Sequence, residues 1–275
     1  MHSNVISWDQ RYEQGSTAAT YSKKFLAEGD SWFSLGGIPT SNLLFSLDLP
    51  DQSLVINCAT PGDTIRHMSE IAANRELNAA LSARFGDQWD AIFLSGGGND
   101  LIDAVHDILL TSSARTAAIT PQQYCDTKAL NALCTQVVAG YQAIVAMRDA
   151  PDSACKGAPI FIHTYDYPTP RDSPARFFLS PVKGPWLYSA FVGAGIPASD
   201  WVDLSDYLMN RLAIALLAMR LPGVFCIDTR NTIERAVLGS IGVSGDWQNE
   251  IHPTSAGYAK IGAKMSAAIN ARLAL

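Results

Sequence analysis

Apolar residues gather in five short continuous runs along the chain, separated by longer mixed stretches. Runs that are continuous rather than alternating are typical of strands buried on both faces in a parallel sheet. The runs are KFLAE (24–28), LVINC (54–58), AIFLS (91–95), PIFIH (159–163) and VFCID (224–228). They predict five parallel strands.

Between these runs, apolar residues recur every three or four positions, which is the spacing of one face of an α-helix. Leucines spaced by four from Leu204 to Leu216 predict one helix, and LPG at 221–223 ends it. The other rows are Ile65, Met68 and Ile71; Leu101, Ile102, Val105 and Ile108; and Ile261, Met265, Ile269 and Leu273. Strands that alternate with helices predict a doubly wound α/β fold, and because all five strands fit one sheet we predict a single domain over 1–275.

One connection between the predicted strands is long and unusual in composition. Residues 164–202 contain six prolines and eight aromatic residues without a helical or strand period. A functional cap and an ordered surface excursion are both compatible with such a segment. If it is a cap, we expect its aromatic residues to shape substrate choice; the candidates are Tyr165, Tyr167, Phe177, Phe178 and Trp186.

Composition and charge limit the classes of partner that the chain is expected to bind. The chain of 275 residues is 48% hydrophobic and carries a net charge of −6, without a basic stripe that would favour nucleic acid. Its longest strongly apolar run, LAIALLAM (212–219), is well short of the ~20 residues that span a bilayer. The N-terminal stretch lacks the apolar core of a secretory signal peptide. We therefore expect a cytoplasmic protein without a transmembrane segment.

The five cysteines are odd in number, scattered, and free of any CxxC pair; they are Cys58, Cys125, Cys134, Cys155 and Cys226. This pattern argues against a zinc site and against a full disulfide framework. Cys58 and Cys226 lie in apolar runs, so we predict that they are buried. The sequence leaves open a disulfide bond among Cys125, Cys134 and Cys155.

Small and polar residues follow the predicted strands, at the sheet edge where ligands bind in open α/β folds. GDSW (29–32) follows the first strand, ATPGDT (59–64) the second and GGGND (96–100) the third, and the fourth ends in HTYDY (163–167). Such residues suit a backbone that must bend and face a ligand. The pattern predicts a site at this edge.

Four residues in these positions together suit acyl transfer. Ser31 offers a hydroxyl on a glycine-containing turn, and His252, just before the last predicted helix, is a possible general base. Gly62 offers a bare backbone N–H to a substrate oxygen, and Asn99 adds a side-chain N–H. A nucleophile, a base and several donors for an oxyanion are the parts of an acyl-transfer site. Taken singly, a serine after a strand is usually a helix cap, so the joint positions favour the catalytic interpretation.

The chain also resembles the SGNH (GDSL-type) hydrolases. EGDSWF, NCATPGDT, GGGND and NEIHPT match the four blocks of that family in the family's order. The resemblance implies a flavodoxin-like three-layer fold and an esterase or lipase with Ser31 as nucleophile and His252 as base. It also implies an oxyanion hole made by Ser31, Gly62 and Asn99. The implied substrate is a small-molecule carboxylic ester, cleaved through an acyl-enzyme without a cofactor or a metal.

The last block departs from the family's pattern, which is Asp-x-x-His. Here Asn249 stands three residues before His252, so the partner of the histidine is open. Asn249, a backbone carbonyl, Asp246 and Glu250 are the candidates, and the family's Asp-x-x-His spacing favours the first two over Asp246.

Other residues near the predicted strand ends have expected roles as well. His163, Tyr165, Tyr167 and Trp186 are candidates for substrate contact, and a structural role is the alternative for His163. Asp30 and Asp100 are expected to brace the turns by accepting backbone hydrogen bonds, as Asx residues do.

Several other functions stay open at this point. A carbohydrate O-deacetylase or an acyltransferase would use the same residues, and the missing carboxylate at 249 suggests a non-enzymatic binding module. A metallophosphoesterase is disfavoured because GDSW lacks a second aspartate and GGND is not followed by histidine. The G-x-S-x-G elbow of the α/β-hydrolases and the G-x-x-x-x-G-K-[ST] phosphate loop are absent from the sequence.

Overall fold

A computed structural model describes residues 4–12, 20–34, 41–50, 52–70, 72–84, 88–115, 120–175 and 182–273. Within these residues, six parallel strands form one sheet. They are β1 (Asn4–Ser7), β2 (Lys23–Gly29), β3 (Ser53–Asn57), β4 (Ala91–Ser95), β5 (Ile160–His163) and β6 (Val224–Ile227). The last five match the predicted strands to within one residue at each end.

The prediction of five strands was wrong by one, because β1 gives no continuous apolar run. This strand has only four residues, NVIS, of which Ile6 alone is buried. It lies at the edge of the sheet and pairs with β3, with Asn4 opposite Leu54. A short, half-exposed edge strand does not need the apolar signature of a central one.

Seven α-helices flank the sheet in the described residues. They are α1 (Ile65–Ser69), α2 (Arg75–Leu81), α3 (Gly98–Ile108), α4 (Thr127–Arg148), α5 (Leu187–Gly193), α6 (Trp201–Ala218) and α7 (Ser255–Leu273). The predicted apolar rows fall in α1, α3, α6 and α7, although Ile71 lies outside the described residues. The leucine row of α6 is almost fully buried, as its spacing predicted.

The order of the strands explains where a site can form. The sheet runs β1-β3-β2-β4-β5-β6. Without β1 this is the flavodoxin-like order, which confirms the predicted fold. The chain leaves β2 toward β3 and returns on the other side with β4, so the direction of winding reverses between β2 and β4. Gly29 at the end of β2 lies opposite Ser95 at the end of β4, and ligands bind at such a switch point.

Helix α4 is the one described helix that is long and apolar enough to cross a membrane, judged by length and composition only. The most apolar part of this helix has a mean hydropathy of 1.3, and 44% of it is buried inside the protein. It packs against α1, α3 and α6. Such packing is typical of a core helix.

The segment 164–202 contains more regular structure than its composition predicted. It includes α5, a 3₁₀ turn (Ala198–Asp200) and the start of α6. Phe177 and Phe178 lie outside the described residues. The five cysteines are free thiols, so the open disulfide among Cys125, Cys134 and Cys155 is not formed.

Candidate active site

A serine, a histidine and an asparagine are hydrogen-bonded in a row at the switch point. The Nε2 atom of His252 lies 2.7 Å from Ser31 Oγ, and its Nδ1 atom lies 2.9 Å from Asn249 Oδ1. Ser31 follows β2, whereas the other two side chains come from the loop that precedes α7. A nucleophile beside a base, with the base held by a third group, is the geometry of nucleophilic catalysis.

The backbone fixes the orientation of the Asn249 amide. Its Oδ1 atom also accepts hydrogen bonds from the N–H groups of Ile251 at 3.1 Å and His252 at 3.0 Å. These two backbone donors require an acceptor, so the atom must be the carbonyl oxygen, because an amide nitrogen accepts none. The imidazole consequently carries its proton on Nδ1 and leaves Nε2 free to accept the proton of Ser31.

Asp246, the alternative partner of the histidine, is held by other groups. Its Oδ2 atom accepts hydrogen bonds from Lys260 Nζ and from the N–H of Glu234, each at 2.6 Å. The main-chain carbonyl of Asp246 accepts the N–H of Thr254 at 2.7 Å. These contacts tie the loop to α7, and the geometry favours Asn249 as the partner of His252.

Glu250, the second carboxylate of this loop, connects it to the 164–202 segment. Its side chain is fully buried and accepts the N–H groups of Trp186, Leu187 at 3.1 Å, Tyr188 at 2.7 Å and Arg171 at 3.3 Å. Burial raises the pKa of Glu250 to about 7. Helix α5 has no side-chain cap from its own N-cap residue, so this distant carboxylate satisfies its first N–H groups. A cap that comes from elsewhere in the chain leaves no local sequence signal for α5.

Burial keeps the imidazole of His252 in its neutral form. Burial lowers the pKa of this imidazole to about 4, since removal from water disfavours the charged form. The amide of Asn249 carries no charge that would oppose this effect. The ring is therefore neutral at pH 7 and ready to accept a proton.

Asn99 and Gly62 line the same cleft as Ser31 and His252, and the cleft has a volume of about 640 Å³. The Nδ2 atom of Asn99 donates one hydrogen bond to the carbonyl of Asp63 at 2.9 Å. An amide nitrogen has a second hydrogen to offer. Gly62 adopts a φ of +84°, and among the described residues, its two chain neighbours apart, no atom lies within 4 Å of where a Cβ would stand. Its position is thus open to a ligand, and its left-handed backbone favours glycine.

A buried hydrogen-bond network supports the turn that carries Ser31. Asp30 accepts the N–H of Trp32 at 2.9 Å, the hydroxyl of Ser95 at 2.9 Å and the hydroxyl of Tyr165 at 2.5 Å. Ser95 also contacts His163 Nε2 at 3.0 Å. Asp30 braces the turn as predicted, and burial raises the pKa of its carboxyl group to about 6.

Asp100, the other predicted brace, accepts the N–H of Ile65 at 2.9 Å. It thereby joins the start of α3 to the start of α1.

The structure places the four residues predicted to contact substrate in different surroundings. The prediction is wrong for His163, which is fully buried and bonds Thr164 and Ser95. Tyr165 is also buried, and its hydroxyl donates to Asp30. Tyr167 donates to Asn210 at 2.5 Å and does not line the cleft.

Trp186 does line the cleft, and its contact with a substrate stays a prediction. Its ring centroid lies 5.9 Å from that of His252 in a T-shaped arrangement. A second candidate from the 164–202 segment, Tyr165, lines a smaller neighbouring pocket of about 30 Å³ that also contains Ser31 and Asn99.

Several residues of the cleft were missed from the sequence. They include Pro174, Lys183, Ile241 and Val243. The apolar letters of VLGSIGV (237–243), in a stretch without a helical or strand period, are the signal that could have drawn attention to the last two. Among the described residues, no group of three or more His, Cys, Asp or Glu side chains could hold a metal ion.

No protein-family model matches the chain, and a search of curated proteins also gives no match. Solved structures do match it. A carbohydrate acetylesterase family member from Sinorhizobium meliloti aligns with a TM-score of 0.51 and 14% identity, over 92% of this chain and all of that one. An extracellular lipase from Streptomyces rimosus aligns with a TM-score of 0.51 and 14% identity, over 91% of this chain and 99% of that one. The chain therefore shares the fold of these two structures, in agreement with the flavodoxin-like fold that the resemblance of its four sequence blocks implied.

Proposed function

We propose that this chain is a serine hydrolase that cleaves carboxylic esters of small molecules through an acyl-enzyme. The observation that carries the proposal is the 2.7 Å contact between Ser31 Oγ and a buried, neutral His252. Asn249 orients the far side of the ring, and Asn99 and Gly62 line the same cleft. The shared fold with an acetylesterase family member and a lipase supports the same reaction class.

The first half of the reaction forms the acyl-enzyme. Ser31 Oγ attacks the ester carbonyl carbon while its proton passes to His252 Nε2, and the electron pair of the C=O bond moves onto the oxygen. The N–H groups of Ser31 and Gly62 and the amide of Asn99 stabilise this oxyanion. When the C–O bond to the alcohol breaks, His252 returns the proton to the leaving oxygen.

The second half of the reaction releases the acid. A water molecule gives a proton to His252 and attacks the acyl carbon. A second oxyanion forms in the same place and collapses. The electron pair of the bond to Ser31 returns to Oγ, which regains its proton from His252. No electrons are gained or lost, and the enzyme returns to its starting state.

Replacing Asn99 with alanine is expected to lower kcat far more than it raises KM. An oxyanion donor acts mainly as charge develops, so its loss weakens the transition state rather than substrate binding. The expected loss is roughly 10²–10³ in kcat, as for other oxyanion donors. Steady-state kinetics on one good ester measures both constants. A variant with normal kcat and only a raised KM would remove Asn99 from this role.

The proposed function is tested by combining a serine-directed fluorophosphonate with a panel of esters. We expect the probe to label the protein once, at Ser31, and to stop hydrolysis in proportion to labelling. The panel contains aryl esters of rising acyl length, glycerol esters and acetylated sugars. No labelling and no hydrolysis of any panel member, in a protein that is folded by circular dichroism, would contradict the proposal.

A further inference from the structure

A short loop at the edge of the cleft exposes an unusual number of aliphatic side chains. In this rim loop (residues 237–243), Val237 is 67% exposed, Leu238 40%, Ile241 81% and Val243 60%. Scattered apolar side chains are normal on a protein surface, but several on one short loop commonly mark a binding surface.

The rim loop is held in this outward conformation by a buried arginine. Arg171 Nη1 donates to the carbonyl of Gly242 and to Ser240 Oγ at 3.3 Å. The side chain of Ser173 accepts the N–H of Gly242 at 3.1 Å. Because a buried guanidinium is costly unless it is well paired, these bonds constrain the loop strongly. These hydrogen bonds keep the aliphatic side chains of the rim loop exposed to water.

The rim loop is connected to the loop that carries His252. Ile241 and Val243 line the cleft. Arg171, which binds the rim loop through Nη1, also donates from Nη2 to the carbonyl of Asn249 at 2.6 Å. One guanidinium thus joins the rim loop to the residue that orients the catalytic base, and Trp186 adds an aromatic face beside the same imidazole.

The position of His252 determines which part of an ester substrate lies against the rim loop and Trp186. In the proposed reaction, His252 protonates the leaving oxygen, so the alcohol part of the ester must lie on the His252 side. Resting on that proposed function, we propose that Ile241 and Val243, together with Trp186, bind an apolar alcohol group. The preferred substrates are then esters of alkyl or aryl alcohols, chosen for the alcohol more than for the acid.

Two ester series separate the two sides of the cleft. The first joins acetate to ethyl, butyl, hexyl and phenyl alcohols, and the second joins methanol to acids of rising chain length. All members of the first series form the same acetyl-enzyme. For any one ester, the ratio of kcat/KM between variant and wild type cancels the reactivity of the leaving group and reports how the alcohol is bound up to acylation. The enzymes compared are the wild type, the double variant Ile241→Ser with Val243→Ser, and Ile214→Ser. Ile214 is a matched control because it is 56% exposed on α6 and does not line the cleft.

We expect the double variant to lose roughly tenfold in kcat/KM for hexyl acetate, the scale on which small changes in an apolar pocket act. Ethyl acetate and the acid series should change by less than about twofold, and Ile214→Ser should match the wild type. An equal loss in both series, or unchanged alcohol preference, would overturn the inference while leaving the proposed function intact. A loss of activity seen only above the solubility limit of the ester would also overturn the inference, because it would indicate that the rim loop docks to a lipid surface. Absence of hydrolysis by the wild type would overturn the proposed function itself, and the inference with it.

Discussion

Replacing Ser31 with alanine is expected to abolish ester hydrolysis and leave the fold unchanged. The covalent route needs the Oγ atom that lies 2.7 Å from His252. In serine hydrolases, loss of the nucleophile lowers kcat by on the order of 10⁶. The measurements are kcat on the best ester of the panel, fluorophosphonate labelling, and thermal unfolding of both proteins.

A second serine of the same cleft provides the matched control. Ser41 lines the cleft with Ser31, so Ser41→Ala removes a hydroxyl from the same surroundings and should keep activity within a few-fold. Ser31→Ala with more than a small part of wild-type activity would show that another group is the nucleophile. Equal losses in the two variants would point to a general disturbance of the cleft.

The central part of the fold was predictable from the sequence because its strands are buried on both faces. Burial on both faces demands continuous apolar runs, and such runs marked β2 to β6 almost to the residue. Strand β1 escaped because an edge strand can remain half-exposed. The four site blocks were visible for a related reason. Three of them follow strand ends, so the sheet itself brings Ser31, Gly62 and Asn99 to one edge, whereas the fourth lies in the loop before α7.

The remaining features depend on contacts between distant parts of the chain. Glu250 caps a helix more than sixty residues earlier in the chain. Arg171 spans a similar separation to reach Gly242 and Asn249. Such contacts have no period and no fixed spacing, so a single sequence carries no trace of them. His163 failed as a substrate contact for the same reason, because its burial is set by the strands and the aromatic side chains around it.

Asn249 is the residue for which the structure changes the expectation most. In a serine protease, replacing the partner aspartate by asparagine costs about 10⁴ in kcat, because the histidine adopts the wrong tautomer. Here the N–H groups of Ile251 and His252 turn the amide oxygen toward the imidazole. The correct tautomer is therefore kept, and only the charge of a carboxylate is missing.

Replacing Asn249 with alanine should remove this control of the tautomer. His252 Nδ1 and two backbone N–H groups would lose their common acceptor, and the ring would be free to turn. We expect kcat to fall by on the order of 10³, somewhat less than for loss of a charged partner. Asp246→Asn is the control, since that carboxylate binds Lys260; this variant should keep kcat near normal. A collapse of kcat in Asp246→Asn, with Asn249→Ala near normal, would instead make Asp246 the partner.

Replacing Asn249 with aspartate tests the missing charge directly. A carboxylate in this place would accept the same three N–H groups and would also stabilise the imidazolium that forms in the transition state. Since the tautomer is already correct, the expected gain in kcat is about ten- to a hundredfold, well below the protease figure.

The pH dependence of kcat/KM should also change. In the wild type, kcat/KM should fall on the acid limb near pH 4, because His252 must be neutral to act and burial lowers its pKa to about 4. A neighbouring negative charge favours the protonated ring, so in Asn249→Asp the limb should move up by about one to three pH units. A pH profile identical to that of the wild type, with no gain in kcat, would show that position 249 does not act on the base through charge.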